Sequence, residues 1–233
     1  DIKVGVKGIG MQLVNPLSMT TAGGTITGSS TSTEAIGIYI ESGASTLQTS
    51  KNVTLMGDKS VGVYINDTLG SMNYTNTGTI TIGNALLQSN PSVGIYSNAQ
   101  SMTEQGNITV GDNAIGLYSS KIGSTVKLDT SGMISVGENG TGIYKLGGTL
   151  QIDGTLKALG NNSVGAYVEG GMVTNNSTSL VIGSSAYGIV ATGGTAPTNI
   201  VSNPSNVTMG DNSVFIYSSD TTGRVTNNAS LMS

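Results

Sequence analysis

The chain has 233 residues, a formal net charge of -4 at pH 7, 35 glycines and 9% charged residues, with no histidine and no cysteine. Without His or Cys it offers no Ser-His-Asp or Cys-His nucleophilic site, none of the usual zinc ligand sets and no disulfide framework. Mild acidity and a single arginine, Arg224, argue against a nucleic-acid surface, which needs clustered basic residues.

One phrase recurs from the start of the chain to its end. It reads GDKSVGVYI at 57–65, GDNAIGLYS at 111–119, GENGTGIYK at 137–145, GNNSVGAYV at 160–168 and GDNSVFIYS at 210–218. Looser copies begin at residues 7, 34, 91 and 185. From Gly10 in the first copy to Phe215 in the ninth is 205 residues over eight intervals, a period of about 26. A catalytic motif is needed once, whereas nine copies at this period indicate a solenoid.

Each repeat predicts three short strands joined by turns rich in Gly, Asn, Asp and Ser. The first strand, as in GTITIG and GNITVG, should turn its aliphatic residues inward; these are Ile80, Ile82, Ile108 and Val110. The second strand ends in the repeated Tyr, and a third, weaker strand follows it at 125–132, 149–154 and 172–177. Strict alternation of the second strand predicts that Val61, Val63, Ile65, Ile115 and Leu117 also point inward. A charge is then expected to be costly at Ile115 and mild at Ser119.

Stacking such repeats pairs each strand in parallel with its counterpart one period away. We therefore predict an all-β, right-handed parallel β-helix, a three-sheet β-solenoid of about nine coils of roughly 26 residues. A leucine-rich repeat shares the period, but the chain has no L-x-x-L-x-L run. Neither end reads as a capping unit, so we expect residues 1–233 to be one continuous β-helix segment of a longer protein.

The repeated phrase also predicts structural roles for its glycines and tyrosines. The glycines that precede Asp, Glu or Asn (Gly57, Gly111, Gly137, Gly160 and Gly210) suit corners with positive φ. The glycine two residues before each Tyr should point outward with it, so that the ring covers the bare backbone. Seven tyrosines would then form an external file: Tyr39, Tyr64, Tyr96, Tyr118, Tyr144, Tyr167 and Tyr217.

Only carboxylates remain as acid-base candidates. Asp112 and Glu138 occupy the same corner of consecutive coils, near enough for glycosidase-like pairing or a bound cation. Two solvated corner acids are the simpler interpretation. We therefore predict no catalytic residue, no metal site and no cofactor.

The departure from the period at NALLQSNP, residues 84–91, predicts a surface loop, and loops of solenoids often lie on the binding face. Leu86 and Leu87 have no evident core position. With the neighbouring Tyr64, Tyr96 and Tyr118 they form the predicted binding residues, because exposed apolar residues beside aromatics are typical interface anchors. The alternative is a loop folded back as a plug over the core.

The phrase at coil spacing, with Lys favoured over Arg and no Cys, resembles the passenger regions of the large fusobacterial autotransporter adhesins over the whole chain. The resemblance implies a type V secretion product on the outer face of the outer membrane, which attaches bacteria to one another or to host cells. The implied partner is a bacterial or host-cell surface protein or glycan, with membrane contact only through a C-terminal translocator barrel outside this sequence. The rival interpretation is a polysaccharide-degrading β-helix enzyme.

Overall fold

The computed structural model describes residues 1–16, 18–21, 23–41 and 46–229, and within these ranges the chain is all β. It forms three parallel sheets of nine strands each, and the chain visits the sheets in turn. Every strand inside a sheet therefore pairs with the strands three before and three after it, and each end strand pairs with one of these. The predicted three-sheet parallel β-solenoid is confirmed, with about eight turns of roughly 26 residues each.

Sheet 1 contains β1 (Ile2–Lys3), β4 (Thr25–Gly28), β7 (Asn52–Leu55), β10 (Thr79–Ile82), β13 (Asn107–Val110), β16 (Met133–Val136), β19 (Thr155–Ala158), β22 (Ser179–Ile182) and β25 (Val207–Met209). Sheet 2 contains β2 (Ile9–Val14), β5 (Ile36–Glu41), β8 (Val61–Asn66), β11 (Val93–Ser97), β14 (Ile115–Ser119), β17 (Thr141–Leu146), β20 (Val164–Glu169), β23 (Tyr187–Thr192) and β26 (Val214–Ser218). Sheet 3 contains β3 (Ser18–Thr21), β6 (Thr46–Thr49), β9 (Asn73–Asn76), β12 (Ser101–Glu104), β15 (Thr125–Leu128), β18 (Thr149–Ile152), β21 (Gly171–Asn175), β24 (Thr198–Ser202) and β27 (Val225–Asn227).

The core is a set of aliphatic columns that run along the solenoid axis. In sheet 1, Ile80 pairs with Val53 on one side and Ile108 on the other, and all three are fully buried. The inward direction predicted for the first strand of each repeat is thus confirmed. Because each strand adds about 4.8 Å of height, like side chains of consecutive coils stack in van der Waals contact.

The side-chain alternation predicted for sheet 2 is wrong at its start. Gly116 and Leu117 are both buried, so that Ile115 is only half-buried, as is Val61 in β8, while Ser119 is 2% exposed. The repeated glycine faces the interior and not the tyrosine side. A Cβ on Gly116 would lie 2.5 Å from the carbonyl oxygen of Gly142 and 2.8 Å from Cγ2 of Ile134. The glycine is needed because the backbone there packs directly against sheet 1, and the predicted covering of it by the Tyr ring is also wrong.

The corner between sheets 1 and 2 uses positive φ at a different residue from the one predicted. The left-handed residue is the one after the acid or amide, for example Asn113 with φ 55° and Asn139 with φ 53°. Its N–H donates to the next coil, as from Asn113 to the carbonyl of Glu138 at 2.8 Å. The glycine before the acid is required for space, since a Cβ on Gly57 would lie 2.3 Å from the carbonyl oxygen of Ser32.

Candidate functional site

A ladder of stacked tyrosine rings runs along the outside of sheet 2, and we call it the tyrosine ladder. It consists of Tyr39, Tyr64, Tyr96, Tyr118, Tyr144 and Tyr167, with successive ring centroids 5.6, 4.8, 5.2, 5.0 and 4.9 Å apart. The predicted external file is confirmed for these residues. Tyr217 is separated from them by Val190 and instead meets Tyr187 edge-on.

Stacking uses the ring faces of the ladder. The rings of Tyr64, Tyr96 and Tyr118 each lie between two other tyrosine rings, at interplanar angles from 9° to 29°. Only their edges and hydroxyls therefore face solvent, and a sugar cannot stack on their faces without breaking the ladder. Each stacked pair contributes about 0.5–1.5 kcal/mol beyond area burial. The ladder interior is thus a stabilising element that offers ring edges and hydroxyl groups to a ligand.

The fifth ring of the ladder makes a further polar contact. The hydroxyl of Tyr144 donates a hydrogen bond to the Glu169 carboxylate. Burial in the stack, and then this hydrogen bond, raise the pKa of Tyr144. The hydroxyl stays protonated and orients the ring edge.

The insertion in the fourth coil is a projecting loop of six residues, 86–91, which we call the 86–91 loop. Asn84 and Ala85 belong to the regular corner: Asn84 Oδ1 accepts from the N–H of Asp112, and the N–H of Ala85 donates to the carbonyl of Asp112. The extra residues number six, and not the eight of the 84–91 stretch. Leu86 is 79% exposed and Leu87 is 61% exposed, so neither leucine plugs the core.

Hydrogen bonds fix the 86–91 loop on both sides of its own coil. The N–H of Leu86 donates to Asp58 Oδ1 at 2.8 Å, one coil before. Gln88 Nε2 donates to the carbonyl of Asn139 at 3.3 Å, two coils after. The loop also borders two hollows on the outer face of sheet 2, one shared by Asn90 and Tyr64, the other by Gln88 and Tyr144.

The five predicted binding residues lie on one side of the molecule, but only some of them have side chains that a partner could cover. Leu86 and Leu87 project from the loop, while Tyr64, Tyr96 and Tyr118 are locked in the ladder. The loop leucines are therefore the apolar surface available to a partner here.

The carboxylate pair is part of the corner's hydrogen bonding. Asp112 Oδ1 accepts from the N–H of Glu138 at 2.8 Å, and Asp112 Oδ2 accepts from Asn84 Nδ2 at 3.1 Å. Asp112 thus ties three coils together, and Glu138 contributes its backbone. Within the described ranges no group of three or more Asp, Glu, His or Cys side chains is placed to hold a metal ion.

Two charged side chains, Glu104 and Lys145, are fully buried in the core, and the sequence analysis predicted neither. Glu104, the last residue of β12, is fully buried and accepts from Asn76 Nδ2 at 2.9 and 3.1 Å and from the N–H of Gly106 at 2.9 Å. Burial raises the pKa of Glu104 to about 8. The alignment of successive repeats could have indicated this burial, because Glu104 pairs with the inward-facing Leu128 of the next coil.

Lys145, in β17, is a fully buried basic side chain. Its Nζ donates to the carbonyls of Lys121 at 3.1 Å and Leu146 at 3.0 Å and to Ser124 Oγ at 2.8 Å. Burial lowers the pKa of Lys145 to about 8. The three acceptors, all uncharged oxygens, satisfy the ammonium.

Replacing Lys145 by Met is expected to remove a pH dependence of stability. The unfolded lysine keeps its proton up to 10.5 and the folded one only to about 8, so the free energy of unfolding should rise with pH between these values. The wild-type rise is at most about 3 kcal/mol. Denaturant unfolding at pH 8 and pH 10.5 measures it, with Lys157→Met on the outer face of sheet 1 as control. An unchanged slope in Lys145→Met would contradict a desolvated amine.

Within the part of the chain that the structure describes, no helix is long and apolar enough to cross a membrane. Comparisons with protein-family models, with curated proteins and with solved structures find no match. The molecule is defined by its fold, a three-sheet parallel β-solenoid with an external aromatic ladder.

Proposed function

We propose that this chain is a segment of a bacterial cell-surface adhesin, the passenger of a type V secretion product on the outer face of the outer membrane. Its β-helix serves as a stalk and scaffold, and the attachment targets are surface proteins or glycans of other bacteria or of host cells. The observation that carries the proposal is the exposed Leu86–Leu87 pair. It stands on a loop that hydrogen bonds hold in place on an otherwise regular solenoid.

The loop has the properties of a binding element. Two adjacent leucines exposed to water are unfavourable in isolation, and a partner that covers them gains their burial energy, about 1.5–3 kcal/mol for each side chain. The hydrogen bonds to Asp58 and Asn139 hold the loop before a partner arrives. Pre-ordering lowers the entropic cost of association.

The regular coils suit a stalk. Each of the three sheets continues through all nine strands, so the solenoid grows by simple repetition and places the loop at a fixed height.

The rival function, polysaccharide cleavage, depends on Asp112 and Glu138. Because the Asp112 carboxylate accepts two corner hydrogen bonds, the geometry favours a structural role for it and supports the adhesin over the hydrolase.

Removing the 86–91 loop is expected to weaken attachment about tenfold and leave the fold intact. Deleting Leu86 through Pro91 together with Ala85→Asn leaves Gly83, Asn84, the new Asn, Ser92, Val93 and Gly94. This segment has the same sequence as the regular corner GNNSVG at 160–165. Binding of protein-coated beads to panels of bacterial and epithelial cells should fall about tenfold, the loss expected for one interface anchor of about 1.4 kcal/mol. The melting temperature should change by no more than about 4 °C.

The control is a pair of equally exposed apolar residues at the corner between sheets 2 and 3. Leu69 is 70% exposed and Ile122 is 62% exposed, and their joint replacement by Ser should leave attachment unchanged. Attachment that stays at the wild-type level in the loop-deleted protein rules out the loop as the binding element. Attachment that is absent from the wild type on every cell panel argues against adhesion by this segment.

A further inference from the structure

The tyrosine ladder lacks one ring. In the column of pairs along sheet 2, Tyr167 is followed by Val190 and then by Tyr217. Tyr144 covers one face of the Tyr167 ring at 4.9 Å, and the other face looks toward the small Val190 side chain. Tyr167 is therefore a ladder residue with one ring face that no tyrosine stacks on.

A hollow occupies the place of the absent ring, and we call it the Val190 notch. Its volume is about 400 Å3, at the small end of the range for ligand pockets. The lining residues are Asn162, Val164, Tyr167, Tyr187, Val190 and Tyr217. Tyr187 and Tyr217 meet at 78° with centroids 6.3 Å apart, so their rings form an angled wall beside Tyr167.

The chemistry of the lining is aromatic, polar and uncharged. Three phenol groups and one side-chain amide surround two valines. The amide nitrogen of Asn162 donates to Asn139 Oδ1 in the coil before at 3.3 Å, which fixes the position of this lining amide. Tyr217 is 49% exposed, so the notch is open to a ligand attached to a larger molecule.

We infer that the Val190 notch binds one neutral pyranose ring of a glycan. A pyranose has an apolar C–H face, which can pack on the open face of the Tyr167 ring. Its hydroxyl groups can form hydrogen bonds with the three phenols and the Asn162 amide. An acidic sugar is disfavoured because the lining has no cation. Choline, a quaternary ammonium that aromatic rings also hold, is the competing ligand in the test. The inference deepens the proposed function by naming a ligand class and its place, and it does not involve the 86–91 loop.

Saturation-transfer-difference NMR with the methyl β-glycosides of glucose, galactose and N-acetylglucosamine tests the notch in the intact protein. We expect transfer to the ring C–H protons of at least one of these glycosides, with a Kd of about 1 mM, as befits one small ligand on an open site. Val190→Tyr restores the missing ring and should abolish the transfer. The matched control is Val181→Tyr, which places a new tyrosine at a half-buried valine on the outer face of sheet 1.

A second variant guards against a folding artefact. Tyr187→Val continues the column Val164, Tyr187, Val214 with a residue that both neighbours carry, and it should weaken glycoside binding about tenfold. No transfer from any of the three glycosides, transfer that persists in Val190→Tyr, or transfer only to choline or N-acetylneuraminic acid overturns the inference. Cell attachment that continues in such a case leaves the adhesin proposal standing, whereas glycoside binding without attachment to any cell overturns only that proposal.

Discussion

Raising the pH from about 4.5 to about 8 is expected to destabilise this protein through Glu104. The carboxyl has a pKa of about 8 in the folded state against 4.5 as the ordinary value, so the folded state holds a proton that the unfolded state has lost. A raised folded pKa means that the stabilisation is complete below 4.5 and is lost as the pH rises through about 8. The span corresponds to at most about 5 kcal/mol.

The surroundings of Glu104 explain the size of the effect. Its carboxyl lies between the side chain of Asn76 in the coil before and that of Leu128 in the coil after. Tyr74 is buried nearby, but its hydroxyl is shared with Thr49 Oγ1 at 2.5 Å. Two hydrogen-bond donors, Asn76 and Gly106, do not replace the lost hydration of a carboxylate in a dry core.

Replacing Glu104 by Gln tests this directly. The variant keeps the shape and the acceptor oxygen but cannot ionise, so its free energy of unfolding should be nearly flat across pH 4.5 to 8. Denaturant unfolding at intervals across this range is the measurement, and Glu138→Gln at the exposed corner is the control. If the free energy of unfolding varies with pH in the same way in the wild type and in Glu104→Gln, the Glu104 carboxyl is hydrated and the prediction is wrong. Because Lys145 acts in the opposite sense above pH 8, wild-type stability should pass through a minimum near pH 8.

Replacing Leu117 by Asp is expected to prevent folding, while Ile115→Asp on the same strand is tolerated. Leu117 is fully buried and pairs with Ile95 and Ile143, so a carboxylate there stands in an aliphatic column with no partner. The expected loss exceeds about 4 kcal/mol. Ile115 is half-buried on the outer face, and the loss there should be about 1 kcal/mol.

Circular dichroism and urea unfolding of the two variants make the comparison. Ser119→Asp completes the series, because Ser119 is buried and its replacement should be costly as well. If Ile115→Asp unfolds the protein and Leu117→Asp does not, the inward register of sheet 2 is reversed from the one described.

The sequence alone determined the architecture, because the information is local and repeated. The period of about 26, three strand patterns per repeat and Tyr at one place in seven of the nine copies were sufficient to predict the solenoid and the external file of tyrosines. The extra residues that follow Ala85 were likewise visible as a departure from the period. Any one strand pattern is weak evidence, but nine copies in phase leave few alternatives.

The tertiary structure decided what depends on how closely the coils stack. The glycines at 62 and 116 interrupt the alternation of sheet 2, since their backbone packs against sheet 1 where a Cβ has no room. That contact turns Ile115 outward and Ser119 inward, and a period-two pattern cannot anticipate it. The same coil spacing, about 4.8 Å, is close to the separation of stacked rings, so the inner tyrosines occupy one another's faces. A ring face stays open where Val190 interrupts the ladder.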